Sequence, residues 1–197
     1  MDEAPIKVTP DLIERAKNED EDACDRLVEI LYPLISATVL SHIRRSADHE
    51  DVIQEVFMKM FLKIDQYKGP RPFEHWLSRI AVTGCYDWLR KRRARPLLSY
   101  SELSETEAEI VERTLSGNLA GDSPPQRELL DGLLDKLIGR LNPREQIAIR
   151  LRDLEERSVK EIEDITGWSP SKIKTLTMRG RRNLAQHLQR LEGPHSP

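Results

Sequence analysis

The residues with the strongest chemical character in this chain are cations, and they come in two groups. From Ser169 to Leu191 stand Lys172, Lys174, Arg179, Arg181, Arg182 and Arg190, with no acid among them. Arg90, Lys91, Arg92, Arg93 and Arg95 form a second, denser block. Ammonium and guanidinium groups spaced along a helix neutralise phosphates, and short polar side chains between them, here Ser171 and Thr175, reach base edges. The net charge of −3 runs against a polyanionic partner when taken as a sum. The distribution matters more, because a local potential steers association. Acids gather elsewhere, at Glu102, Glu105, Glu107, Glu109 and Glu112.

Other chemistries find little support. No glycine-rich phosphate loop and no Ser-His-Asp set with a supporting context is present, so the chain gives no reason to read it as an enzyme. His42, His49, His75, His187 and His195 lack ligand spacing, so neither a metal nor another cofactor is expected. Cys24 and Cys85 stand far apart within helical patterns and read as core thiols. No apolar run approaches the roughly 20 residues that span a bilayer, and Met1 to Pro10 lacks the regions of a signal peptide. A cytoplasmic protein without membrane insertion is the expectation.

The elements that position the cations are helices. Hydrophobic residues make up 38% of the 197 residues and aromatics only 5%, which suits small helical bundles. Thr9-Pro10 opens a short helix to about Asn18. A longer one runs from about Asp22 to Arg45, with Leu27, Ile30, Leu31, Leu34, Ile35 and Thr38 near one face; Pro33 is expected to kink or break it. Asp48 caps the next, whose stripe is Val52, Ile53, Val56, Phe57, Met60, Phe61 and Ile64; its other face carries Glu50, Asp51, Gln54, Glu55, Lys59 and Lys63. Lys68-Gly69-Pro70-Arg71-Pro72 is a loop. After it, Phe73, Trp76, Leu77, Ile80, Ala81, Gly84, Trp88 and Leu89 fit one helical face, while His75, Arg79, Thr83 and Tyr86 lie off it. That helix ends in the basic block, where cations also match the negative end of a helix dipole. Trp76 and Trp88 read as core and not as stacking platforms.

Residues 97–127 are rich in Ser, Glu, Thr, Gly and Pro and read as a linker of about 30 residues, with a transient helix at Ala108 to Leu115. Four short helices follow. The first carries Leu129, Leu130, Leu133, Leu134, Leu137, Ile138 and Leu141. Asn142-Pro143-Arg144-Glu145 combines a cap, a first-turn proline and an acid, and starts a helix through Leu154. Ser158 to Glu161 opens a third helix, ended by Gly167, and Ser169-Pro170 opens the last. Ser158 to Leu184 thus reads as a helix-turn-helix with a basic second helix, the arrangement that fits a major groove. A solvated basic helix in a bundle has the same spacing. The fold class is all-α: two small helical domains, 1–96 and 128–191, joined by the acidic linker 97–127.

Taken together these motifs resemble a known family. Asp48-His49-Glu50-Asp51-Val52-Ile53-Gln54-Glu55-Val56-Phe57, then Phe73 with Trp76-Leu77-Ser78-Arg79-Ile80-Ala81, then Asp87-Trp88-Leu89-Arg90-Lys91-Arg92-Arg93, are similar to the second region of extracytoplasmic-function sigma factors of bacterial RNA polymerase. Leu141-Asn142-Pro143-Arg144-Glu145, Glu161-Ile162 and Ile173-Lys174-Thr175 with Arg179-Gly180-Arg181-Arg182-Asn183-Leu184 are similar to their fourth region. The resemblance covers both domains in order and implies a transcription initiation factor. It implies that Asp51, Gln54 and Glu55 dock onto the clamp helices of core polymerase. It implies that Lys68, Arg71, Arg79, Thr83, Asp87, Arg90, Lys91, Arg92 and Arg93 meet the promoter's minus-ten element, a base flipped into the loop before Phe73. It also implies that Ser171, Lys172, Lys174, Thr175, Arg179, Arg181 and Arg182 read the minus-thirty-five element. The resemblance further implies that the apolar helices of the fourth region bind the polymerase flap, that the acidic linker threads polymerase channels, and that an anti-sigma factor masks both domains. Three positions depart from the family pattern: Thr83 for Asn, Glu163 for Ala, and Leu176-Thr177 for the reverse order of a basic and an apolar residue. Two other readings compete: an ordinary helix-turn-helix regulator, and a mimic that sequesters an anti-sigma factor.

Overall fold

A computed structural model of the chain describes residues 7–43, 48–91 and 124–191. The expected linker helix at Ala108 to Leu115 and the cations Arg92, Arg93 and Arg95 lie outside the described residues. Eight α-helices are described: α1 (Pro10–Lys17), α2 (Glu21–His42), α3 (His49–Lys63), α4 (Phe73–Lys91), α5 (Pro124–Ile138), α6 (Pro143–Ile149), α7 (Val159–Thr166) and α8 (Pro170–Leu191). A 3-10 turn (Ile64–Gln66) follows α3 and a π-helical turn (Arg150–Leu154) follows α6. No strand occurs among the described residues, as the helical periodicity implies.

The described residues form two compact units. The first holds α1 to α4 together with residues 160–168, the second α5, α6, the π turn and α8. Contacts therefore group α7 with the first unit, where the helical pattern groups it with the second domain. Within α7, Ile162 is buried, and Gly167 after it takes φ +70°, a left-handed conformation that glycine adopts without steric cost.

In the first unit α2 and α3 both pack on α4, and α1 packs on α2. Side-chain caps start α1 and α2. The Thr9 hydroxyl accepts from the Leu12 N–H at 3.2 Å, and the Asp20 carboxylate accepts from the Ala23 N–H at 3.0 Å while Arg15 bridges to it. Asp48 holds the N-cap position of α3, but its side chain makes no capping bond. Pro33 does not break α2. It sits on the exposed side of the helix, where water can replace a lost backbone hydrogen bond. The buried stripe of α2 is Ala23, Leu27, Leu31, Ile35, Val39 and His42, which leaves Leu34 exposed instead of packed. On α4 the buried face is Phe73, Leu77, Ala81, Val82, Gly84 and Cys85. Trp76 and Trp88 are half-buried beside it. Cys85 is fully buried, and Cys24 is half-buried with its thiol pKa raised by burial and neighbouring acids.

In the second unit α5 starts at Pro124, ahead of the boundary expected at 128, because prolines in a first helical turn need no N–H partner. The helix expected from Asn142 through Leu154 is α-helical only to Ile149. Beyond it the chain widens into the π turn, closed by Glu155 N–H donating to the Arg150 carbonyl at 2.9 Å. The buried Arg150 guanidinium pairs with Asp135 of α5 at 2.9 Å. The core joins Ile138, Leu141 and Ile149 with Leu134 and Leu184 of α8.

Helices α6 and α8 meet closely at Gly180. A Cβ on Gly180 would lie 2.7 Å from Ile149 Cγ1 and 3.0 Å from Cδ1, inside any ordinary carbon–carbon contact. Gly180→Ala is expected to destabilise the protein by about 1–3 kcal/mol through this overpacking. The double variant with Ile149→Ala should be less destabilised than the two single losses added, as read by urea denaturation.

Candidate nucleic-acid interface

Helix α8 presents two unlike faces. Ile173, Thr177 and Gly180 are buried, while Ser171, Lys174, Met178, Arg179, Arg181 and Arg182 are exposed. Lys172 and Thr175 are half-exposed. At 3.6 residues per turn, Ser171, Lys174, Thr175, Met178 and Arg182 form one outward stripe, with Arg179 and Lys172 along one margin and Arg181 along the other. Met178 is 64% exposed in the middle of that stripe. Nothing in the sequence singles Met178 out, because spacing alone does not say that it faces outward among the cations. The Ser169 hydroxyl accepts from the Lys172 N–H at 3.4 Å at the start of the helix. Thr175 bonds back to the Ser171 carbonyl at 2.9 Å. Thr177 is buried and bonds to the Ile173 carbonyl, and Leu176 is half-buried, so the outward stripe keeps its cations despite the departure there.

Two polar ties hold this helix from the inside. Asn142 caps α6, its side-chain oxygen accepting from the Glu145 N–H at 3.0 Å. That cap fixes the first turn, and Glu145, only 4% exposed, accepts from the Asn183 side-chain amide of α8 at 3.0 Å. Gln146 next to it donates to the Leu141 carbonyl at 2.8 Å. On the other margin Arg181 forks onto Asp153 of the π turn, Nε to Oδ2 at 3.0 Å and Nη2 to Oδ1 at 2.5 Å. This pair raises the Arg181 pKa further above its ordinary value, first through the hydrogen bond and then through the charge of Asp153. Burial beside Arg190 and Arg140 lowers the His187 pKa farther along the helix. Neither the Asp153 contact nor the Glu145–Asn183 tie has a signal in the sequence; the spacing of Asn142-Pro143-Arg144-Glu145 signals the cap alone.

The first unit holds the other candidates. Tyr67, Phe73 and Trp76 form an aromatic cluster with ring centroids 5.0 to 5.9 Å apart around the loop 67–72. The Tyr67 hydroxyl donates to the Arg71 carbonyl and so ties the two ends of the loop together. Tyr67 was another residue the sequence reading passed over. Lys68 and Arg71 are exposed, and Arg71 pairs with Asp164 within this unit at 2.8 Å. On α4, Arg79, Thr83 and Arg90 are exposed and Asp87 is half-exposed, all on the side away from α2 and α3; Lys91 ends the same helix, also exposed. Thr83 bonds back to the Arg79 carbonyl at 2.7 Å, and Asp87 lies 3.7 Å from Arg90. On α3, Asp51 and Gln54 are exposed, and Glu55 pairs with Lys59 at 2.7 Å, which lowers the Glu55 pKa. Met58 and Leu62 extend this stripe at 65% and 79% exposure. Glu163 on α7 is turned outward, so its carboxylate is not forced into the packing. Among the described residues no cluster of His, Cys, Asp or Glu has metal-site geometry, and no helix is long and apolar enough to cross a membrane.

Residues 27–95 match Sigma-70 region 2, and residues 131–184 match Sigma-70, region 4. The chain is 30% identical over 184 residues to the ECF RNA polymerase sigma-E factor of Escherichia coli K12, covering 91% of this chain and 94% of that protein. It is 27% identical to the protein of the same description from Haemophilus influenzae, with 91% and 95% covered. Among solved structures it is similar to CnrH in complex with the cytosolic domain of CnrY, with a TM-score of 0.55 at 22% identity, covering 90% of this chain and 95% of that one. It is also similar to the sigma factor RpoE in complex with the anti-sigma factor NepR from Bartonella quintana, with a TM-score of 0.51 at 20% identity, covering 84% and 96%.

The two matched regions define a sigma factor of the sigma-70 type. The chain belongs to the extracytoplasmic-function sigma factors, and it is a transcription initiation factor that directs RNA polymerase to promoters.

Asn142→Ala removes the α6 cap and is expected to cost about 1 kcal/mol of stability. Glu145→Ala should cost more, because it leaves the Asn183 amide half-buried without its acceptor. Thermal unfolding of the two variants against the parent protein orders them.

Proposed function

We propose that the outward stripe of α8 reads the minus-thirty-five element, with Ser171, Lys172, Lys174 and Thr175 near the bases and Arg179 and Arg182 on phosphates. The observation that carries this reading is the division of α8 into a buried apolar face and an exposed cationic one without a single acid. A helix that only packed in a bundle would have no need to clear acids from its solvent side. Met178 in the same stripe suits apolar contact with a thymine methyl group.

The minus-ten element is met by the first unit. Lys68 and Arg71 on the loop, Arg79, Thr83, Asp87, Arg90 and Lys91 on α4, and Arg92 and Arg93 beyond it hold the melted strand. A base leaving the stack is received at the loop tied by Tyr67. Core polymerase docks on α3 through Asp51, Gln54 and Glu55, and the exposed Met58 and Leu62 on the same stripe suit an apolar anchor there. An anti-sigma factor of the kind bound by the similar sigma factor RpoE masks these surfaces until a signal releases them. The working place is the cytoplasm, where core polymerase and promoter DNA meet.

Run-off transcription with bacterial core polymerase and a pool of promoter fragments tests this. Discrete transcripts are expected, and they should fall at least tenfold when Lys172, Lys174 and Arg179 are replaced together by Ala, which removes three cationic contacts. Stable binding to core with no transcript from any fragment would mean the chain acts as a mimic. Binding to duplex DNA with no binding to core would overturn the reading of α3.

A further inference from the structure

We propose that Arg181 is a positioning residue: its fork onto Asp153 sets the rotation of α8 about its own axis and so decides which side chains face the promoter. The proposal rests on the reading of α8 as the promoter-reading helix, and it takes Arg181 out of the set of phosphate contacts.

The geometry carries it. Gly180 lies against Ile149 and is the pivot on which α8 touches α6. With about 100° between successive residues, Arg181 lies to one side of Gly180 by about 100° and Asn183 to the other by about 60°. Asn183 is tied to Glu145 on α6 and Arg181 to Asp153 on the π turn. A roll of the helix in either direction therefore stretches one of the two ties. Glycine at the pivot offers no side chain to interlock with α6, so packing there fixes the distance between helices better than it fixes rotation. The ties supply what the pivot lacks.

Arg181 is suited to this task in a way that its neighbours are not. Two of its nitrogens meet both oxygens of one carboxylate, the planar fork that fixes direction as well as distance. Lys174, Arg179 and Arg182 form no ion pair among the described residues and keep their charge for a partner. Asp153 is in turn held in place. Its π turn begins at Arg150, whose buried side chain pairs with Asp135 of α5. Arginine and aspartate thus alternate from α5 through the π turn to α8.

The test separates a positioning arginine from a phosphate contact. The full chain is assembled with core polymerase on a promoter from which it starts transcripts, and promoter retention is measured across a salt series for Arg181→Ala, Asp153→Ala, the double variant, the exchange R181D/D153R, and Arg182→Ala as reference. Positioning predicts that the two single variants weaken retention alike, by about three- to tenfold. The double variant should be no weaker than either, the exchange should recover part of the loss, and the salt slope should stay that of the parent. Arg182→Ala, by contrast, should lower the slope by about 0.9. If Arg181→Ala lowers the slope like the reference while Asp153→Ala leaves retention unchanged or improves it, the proposal is overturned; additive losses overturn it as well. Amide exchange on the full chain without polymerase gives a second reading. Both single variants should raise exchange along residues 170–181 to the same extent, and no change in either sinks the proposal. Failure of the promoter reading shows separately, as parent protein that starts no transcript, and exchange alone then decides the lock.

Discussion

The contact on which the second unit depends is the close crossing of α6 and α8 at Gly180. The Ile149 side chain occupies the space a Cβ on Gly180 would need, so only glycine fits at the crossing. Everything that makes α8 useful follows from that approach. Leu184 reaches the core formed by Ile138, Leu141 and Ile149. Glu145, buried by the crossing, finds the Asn183 amide. With the inner face of α8 consumed in this way, the cations occupy the outer face. Burial of a carboxylate is tolerated because Glu145 is hydrogen-bonded, and such a buried polar tie specifies one arrangement of two helices better than leucine-on-leucine contact does.

A different economy governs the first unit. Its core along α2, α3 and α4 is apolar but for His42, and polar character lies in surface stripes: acids and apolar residues on α3, cations, Asp87 and short polar groups on α4. Tyr67 joins core to surface. Its ring packs with Phe73 and Trp76, and its hydroxyl holds the loop that carries Lys68 and Arg71. A loop with a glycine and two prolines gains definition from such an anchor, since it has few side chains of its own to pack. Segregated charge then explains how a chain of net charge −3 belongs to a DNA-directed family: the sum is acidic, but the outward face of α8 carries cations and no acid.

Much of this was legible in the sequence. The period of Val52, Val56 and Met60 gave α3, Asn142-Pro143 gave the start of α6, and Gly167 gave the end of α7, because period, caps and breakers act locally. Pro33, expected to kink or break α2, does not break it, since what a proline does inside a helix depends on whether water can replace the lost hydrogen bond, and that is a property of the fold. Leu34 misled for a related reason: an apolar stripe read at helical period is wider than the strip of surface available to cover it. The π turn had no local signal; its first residue, Arg150, is tied to Asp135 from across the unit, a partner that spacing does not reveal. Met178 and Asp153 were missed because their importance lies in which way they face. The cations themselves were found, but their spacing does not distinguish Arg181, tied to a carboxylate, from Arg182, which has none among the described residues.

The central claim is that the face of α8 opposite Gly180 lies against promoter DNA during initiation. A photo-crosslinking amino acid at Met178, the middle of that face, tests it in a complex of the full chain with core polymerase and a promoter, with the same group at His187 on the flank of the packed face as control. The account predicts a crosslink from position 178 to DNA, confined to the minus-thirty-five element, and much less from position 187. Crosslinks from 178 to polymerase alone, or equal DNA crosslinks from both positions, would contradict it.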